Sequence, residues 1–272
     1  MQRRHIKWFP LIIAALFFGY QYFSSDKFVN PETGRKSHVG LTTKQEATLG
    51  LESYQKIIGE QPVVNSGPER DMVQRVMQRL VRSTGTAGKD FDWQVSLVQS
   101  PQVNAFCLPG GKMVVYTGIL PLANSEPSLA TVLGHEMAHA TSRHGAQRVL
   151  EQNLTQTAMV GIAGSMSDMD PQKQRAMLGA LGAGAQYGVL MPFSRNHESE
   201  ADHIGLLYMA RAGYDPRESI TFWQRMEQSS HGQPPEFASD HPSHGTRIQQ
   251  LKEWMPQALE EYQKAEGRQA GG

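Results

Sequence analysis

His135 and His139 stand four residues apart, with Glu136 directly after the first. That spacing serves chemistry only on an α-helix, where positions i and i+4 share a face and two imidazoles can reach one ion. A helical pattern does run through this region, over Leu129–Leu150, with Ser128 as a candidate cap. Small Gly134, Ala138 and Ala140 lie alongside the pair. On such a helix Glu136 can address a water bound to the same ion.

The rest of the composition narrows the chemistry. A chain of 272 residues allows one or two domains. Its single cysteine, Cys107, excludes an intrachain disulfide framework and every multi-cysteine zinc or iron–sulfur site. Cys107 reads as a small buried residue, and any metal must be held by imidazole and carboxylate. Lys+Arg and Asp+Glu both count 26, and this zero net charge argues against a dedicated nucleic-acid binder.

The N-terminus is a separate object. Arg3, Arg4, His5 and Lys7 precede an uncharged run from Trp8 to Ser25. As a helix this run would span roughly 27 Å, close to a bilayer's hydrocarbon core. Trp8 at one end and Tyr20 and Tyr22 near the other fit an aromatic belt. The expectation is a signal anchor at 1–25, with the basic tip cytoplasmic and the remainder exported. A cleaved signal peptide is the alternative.

Residues 26–65 read as a juxtamembrane linker or docking strap followed by a first helix at Lys44–Ile58, and 66–272 as the catalytic domain. Pro68 opens a helix with Met72, Val73, Val76, Met77 and Leu80 at helical spacing. Phe91–Val98 alternates as a half-buried strand, and Asn104–Leu108 and Lys112–Thr117 flank Pro109-Gly110-Gly111 as a hairpin-like pair. The Gly-, Ala- and Met-rich stretch 159–190 is broken by polar residues, which argues against a second span. Two short helices with close small-residue packing, or a flap over a site, are expected there, and Phe193 could help cover the cleft. Helices are expected at Glu198–Ala212, Pro216–Gln228 and Arg247–Lys264, with a Pro/His loop over Gln233–Thr246.

A catalytic zinc needs a third protein ligand and an open position. His144 is nine residues after His135, which on a continuous helix is half a turn off the ligand face, so it reads as a residue behind a ligand or in the packing. Glu198 and Asp202 are four apart and share a helical face, while Glu200 points nearly opposite. Glu198 is the candidate ligand, with Glu200 or a nearby histidine as alternatives. Asp202 is then placed to accept the free N–H of a ligand histidine.

His135-Glu-Met-Ala-His139 together with Glu198-Ser-Glu-Ala-Asp202 resembles the membrane-associated zinc metallopeptidase family of the CAAX prenyl protease, the heat-shock protease HtpX and the mitochondrial OMA protease. The likeness extends over Asn104-Ala-Phe, Pro109-Gly-Gly-Lys112, Tyr116-Thr-Gly118, Pro192-Phe-Ser-Arg195 and His241-Pro-Ser-His-Gly-Thr-Arg247, roughly Lys44 to Trp254. Within the family it is to the bacterial envelope members with one anchor or a signal.

The resemblance implies a mainly helical α+β fold with a small sheet, a zincin-like (gluzincin) domain binding one Zn2+ through His135, His139 and Glu198. It implies a zinc-dependent endopeptidase, with Glu136 as general base toward a zinc-activated water. His241 and Arg247 are the candidate stabilisers of the oxyanion, and in similar envelope proteins this histidine can fill the open zinc position and restrain activity. Asn104, Ala105 and Phe106 are expected to bind substrate through their backbone, by strand addition. The implied substrates are unfolded or damaged membrane and envelope proteins, handled from the bacterial inner membrane with the catalytic domain in the periplasm, or from a soluble periplasmic form. A zinc-bearing chaperone with little turnover is the alternative function.

Overall fold

A computed structural model describes residues 7–167, 169–170, 172–173, 193–229, 235–241 and 246–270. In chain order its elements are helix α1 (Trp8–Ser24), strands β1 (Asp26–Val29) and β2 (Lys36–Val39), helices α2 (Thr43–Glu60) and α3 (Pro68–Ser83), and strands β3 (Gln94–Val98), β4 (Ala105–Leu108) and β5 (Lys112–Tyr116). Helices α4 (Glu126–Thr141), α5 (His144–Ser165), α6 (Arg195–Arg211), α7 (Glu218–Ser229), α8 (Glu236–Asp240) and α9 (Arg247–Ala270) follow. Helix predominates and the sheets are small, so the expected α+β class is found.

The described residues divide into two compact units. The smaller comprises α1, the antiparallel β1–β2 hairpin and α5 from Ala146 onward. No residue of α1 is buried, and Trp8, Phe9, Leu16, Tyr20 and Phe23 are largely exposed. Glycines let α5 approach α1 closely: a Cβ on Gly161 would lie 2.3 Å from the Ala14 Cβ. Among the described residues no helix is long and apolar enough to cross a membrane. The 159–190 stretch begins as the end of α5, and its later part, with His231 and His244, lies outside the described residues.

The larger unit holds the other elements and the segment Asn30–Arg35 between β1 and β2. Its sheet has the order β3-β5-β4, with β3 parallel and β4 antiparallel to the central β5. The expected hairpin is present, paired Ala105↔Val115 to Leu108↔Lys112. Its turn uses Gly110 and Gly111 at φ 79° and 88°, a region glycine enters without steric cost. Val73, Val76, Met77 and Leu80 of α3 pack with Leu97, Met113 and Val115 of the sheet and with Leu129, Leu133 and Met137 of α4. Ile204, Leu207 and Tyr208 of α6 and Phe222 and Trp223 of α7 complete this core.

Helix α4 is buried almost all round, as a helix at the centre of a core must be. It crosses α6 where Gly134 meets Gly205, and a Cβ on Gly134 would lie 2.9 Å from the Gly205 carbonyl oxygen. The pattern over Leu129–Leu150 predicts one helix, but the structure breaks it. Arg143 adopts φ 54°, in the left-handed region, and α5 starts anew at His144. The N-cap of α4 is Ser125, whose hydroxyl accepts the Ser128 backbone N–H at 3.2 Å, so Ser128 lies inside the first turn. β3 starts at Gln94 because Phe91 and Trp93 fold back to Gly88, whose carbonyl accepts both Phe91 N–H and Trp93 Nε1–H.

Candidate metal centre

Two helices carry the centre. α4 presents His135, Glu136 and His139 from its buried face. α6 begins at Ser194, whose side chain accepts from the His197 N–H at 3.3 Å. This cap puts Glu198 in the first turn, where the helix dipole favours a carboxylate. The Gly134–Gly205 contact lets these faces meet.

Donor atoms of His135, His139, Glu198 and His241 all lie within 4.8 Å of one another, and all four residues are buried. His135 Nε2 is 3.0 Å from His139 Nε2 and 3.1 Å from His241 Nδ1. Glu198 Oε1 is 3.3 Å from His139 Nε2 and 3.0 Å from His241 Nδ1, and its Oε2 is 3.5 Å from His135 Nε2. Zinc–nitrogen bonds of about 2.0–2.1 Å at tetrahedral angles would separate neighbouring donors by about 3.3 Å. The observed spacings bracket that value. Converging lone pairs need protons or a cation between them, so this set fits a small divalent metal. Glu200, the alternative ligand, lies outside the set.

The residues behind the donors are also in contact. Asp202 Oδ1 is 2.9 Å from His135 Nδ1. Arg247 donates from Nε to Asp202 Oδ2 at 2.6 Å, from Nη2 to Glu198 Oε2 at 2.7 Å and from Nη1 to the His241 carbonyl at 3.2 Å. Its guanidinium lies 3.9 Å over the Trp223 ring. Arg247 is thus placed among the carboxylates, not pointing at a free oxyanion position. His144, at the start of α5, lies with its Nδ1 3.0 Å from His139 Nδ1. Phe193 sits beside the rings of His139 and His241, at centroid separations of 4.2 and 5.8 Å, where a cleft cover was expected.

Glu136 Oε2 accepts the backbone N–H of Cys107 in β4 at 3.2 Å. Its Oε1 is buried and makes no hydrogen bond among the described residues, although His241 Nε2 lies 3.2 Å away. Among the described residues β4 pairs only with β5, and the Cys107 N–H on its other edge meets Glu136 of α4. Ala105 N–H on that edge is met by the Asn104 side-chain oxygen at 2.8 Å. The Phe106 ring packs edge-on to Tyr116 in a second cluster with Tyr54.

The electrostatics suit a cation. Burial pushes the His135 ring down, but hydrogen bonds to Asp202 and Glu198 outweigh it and lift the ring to about 10. Burial raises the Glu198 carboxyl, yet three histidine contacts hold it far below the usual range. Burial also raises Glu136 and holds the His139 ring well below its usual value. Sequence reasoning did not find Glu200, Asn30, Thr33 and Arg35 behind His144, nor Trp223 beneath Arg247. No local spacing links those residues.

The model of peptidase family M48 matches residues 68–255. The mitochondrial metalloendopeptidase OMA1 of Schizosaccharomyces pombe is 34% identical over 245 residues, covering 88% of this chain and 69% of that protein. The protein of the same name from Saccharomyces cerevisiae is 30% identical over 280 residues, covering 93% and 76%. The beta-barrel assembly-enhancing protease of Escherichia coli is 27% identical over 274 residues, covering 96% of this chain and 56% of that protein.

Proposed function

The chain belongs to peptidase family M48 and is a metalloendopeptidase, and from that premise we propose that it cuts unfolded or damaged membrane and envelope proteins with Glu136 as general base. The observation that carries this reading is the convergence of His135, His139 and Glu198 beside the buried carboxylate of Glu136. Zinc is the metal of this family; when bound by those three residues it supplies Lewis acidity, lowering the pKa of a water and polarising a carbonyl.

The chain's own groups do the rest. Glu136 takes a proton from the attacking water and passes it to the leaving amine. The Cys107 N–H holds one Glu136 oxygen, leaving the other to face the reacting atoms. Asp202 accepts the His135 Nδ1–H and so fixes the lone pair on Nε2 toward the metal. Arg247 is a positioning residue, since Glu198, Asp202 and the His241 carbonyl take up its donors. His241 stands in the fourth donor position, which a substrate carbonyl needs, so it must swing aside. Its ring then serves as the oxyanion donor. The β4 edge at Asn104, Ala105 and Phe106 aligns the peptide by backbone hydrogen bonds, giving broad sequence preference.

The exposed apolar side chains of α1 support seating residues 1–25 in the inner-membrane lipid, with a linking segment at 26–65 and a gluzincin domain at 66–272 in the periplasm. The E. coli relative's name, beta-barrel assembly-enhancing protease, supports an envelope role.

Glu136→Gln is expected to keep zinc and lose cleavage of casein. Undiminished cleavage refutes the proposed base. Equal protection of unfolded clients by wild type and variant, without cleavage by either, makes the chain a zinc-bearing chaperone instead.

A further inference from the structure

Behind the metal centre runs a chain of hydrogen bonds that ends far away in sequence. His139 turns Nε2 to the donor set and Nδ1 to His144 Nδ1, 3.0 Å away. His144 Nε2 is 2.9 Å from Glu200 Oε2. Glu200 is then gripped by the segment between β1 and β2. Its Oε1 accepts from Thr33 Oγ1 at 2.6 Å and from Asn30 Nδ2 at 3.1 Å, and its Oε2 accepts from Arg35 Nε at 2.7 Å. Asn30 Oδ1 accepts the Glu32 N–H at 2.9 Å, which closes the segment into a turn. His144 and Glu200 are both buried.

One proton per contact decides every direction along this chain. Glu200 already accepts from Thr33, Asn30 and Arg35, so His144 donates to it from Nε2. That leaves His144 Nδ1 as a lone pair, so His139 must donate from Nδ1. His139 Nε2 is then bare and aimed at the donor set. His135 receives its carboxylate directly, from Asp202, whereas His139 receives one through an intervening imidazole.

We propose that His144 and Glu200 are positioning residues for His139, and that the strap Asn30–Arg35, by holding Glu200, sets how tightly the centre binds its metal. This rests on the reading of His139 as a ligand. The strap follows β1, so displacing it from Glu200 would loosen the metal without touching a ligand.

The test is zinc affinity of the full chain, by competition with a chromophoric chelator, together with the visible spectrum of the cobalt-substituted protein. Glu200→Gln is expected to weaken zinc about 10–100-fold and to shift the cobalt bands. The strap variant Thr33→Val/Arg35→Met, which leaves α6 and α5 intact, is expected to weaken zinc in the same direction. A merely structural role would lower the melting temperature of chelator-stripped protein and leave both readouts unchanged. Affinities within twofold of wild type in both variants, with wild type binding zinc, overturn the relay alone. If wild type itself binds no zinc, the metal-centre reading fails, and the relay with it.

Discussion

Gly134 and Gly205 hold two helices closer than any side chain would allow. A methyl on Gly205 would stand 2.8 Å from the His135 nitrogen and 2.9 Å from the Gly134 carbonyl carbon. These are backbone atoms, which can retreat only by prising α4 from α6. Gly205→Ala is therefore expected to cost about 1–3 kcal/mol of stability. It should also weaken zinc, because His135 rides on α4 and Glu198 on α6. Thermal unfolding with and without zinc measures both effects, and a variant that melts with wild type would show that the crossing is slack.

Asp202 serves two partners, His135 Nδ1 and Arg247 Nε. Asp202→Asn removes the charge both rely on while keeping the shape. Zinc affinity is expected to fall about 10–100-fold, the usual effect of losing a carboxylate behind a ligand histidine. Chelator competition reads this, and a loss under threefold would mean that Asp202 is dispensable for orienting the ring.

His241 is asked to do two opposed things. On the proposed mechanism it stands in the way at rest and would donate to the oxyanion during reaction. His241→Ala should separate these roles, lowering KM because nothing must be displaced and lowering kcat because a donor is gone. Steady-state cleavage of a quenched fluorescent peptide gives both constants. Unchanged KM with reduced kcat would leave only the donor role.

Glu200 ties acid stability to the relay. Its unfolded carboxyl titrates near 4.5 and the folded one near 2. The unfolded chain thus binds more protons between those values. The stabilisation is complete above pH 4.5 and is lost as pH falls toward 2. Chelator-stripped Glu200→Gln should therefore lose less stability than wild type between pH 5 and pH 3, as read by denaturant unfolding at each pH. Equal losses would mean that the strap contacts do not hold the carboxylate ionised.

Local spacing made parts of this centre legible. Pairs at i and i+4 identified His135 with His139 and Glu198 with Asp202, because each pair lies on one uninterrupted helix. Pro109-Gly110-Gly111 marked the β4–β5 turn because only glycine enters that region freely. His144 shows the limit. Its angle from His135 assumes a continuous helix, yet the chain turns at Arg143, and His144 reaches His139 from a new helix. The apolar pattern continues through that turn, so periodicity does not register it. The segment 26–65 reads as a linker or docking strap, but the contact of its Arg35 with Glu200 was not legible, since the two are 165 positions apart. Arg247 was expected to face an oxyanion, and the structure gives its donors to two carboxylates and a carbonyl.

One oxygen of Glu136 hangs from the backbone of β4, the strand on which a peptide would align. Choice of scissile bond and proton transfer then share one degree of freedom. If a peptide aligns on β4 as proposed, a shift of β4 to accommodate a bulky residue would draw the Glu136 carboxylate with it. The gap between proton acceptor and cleavage point would then stay the same across clients of unlike sequence, so tolerance of sequence need not come at the expense of turnover.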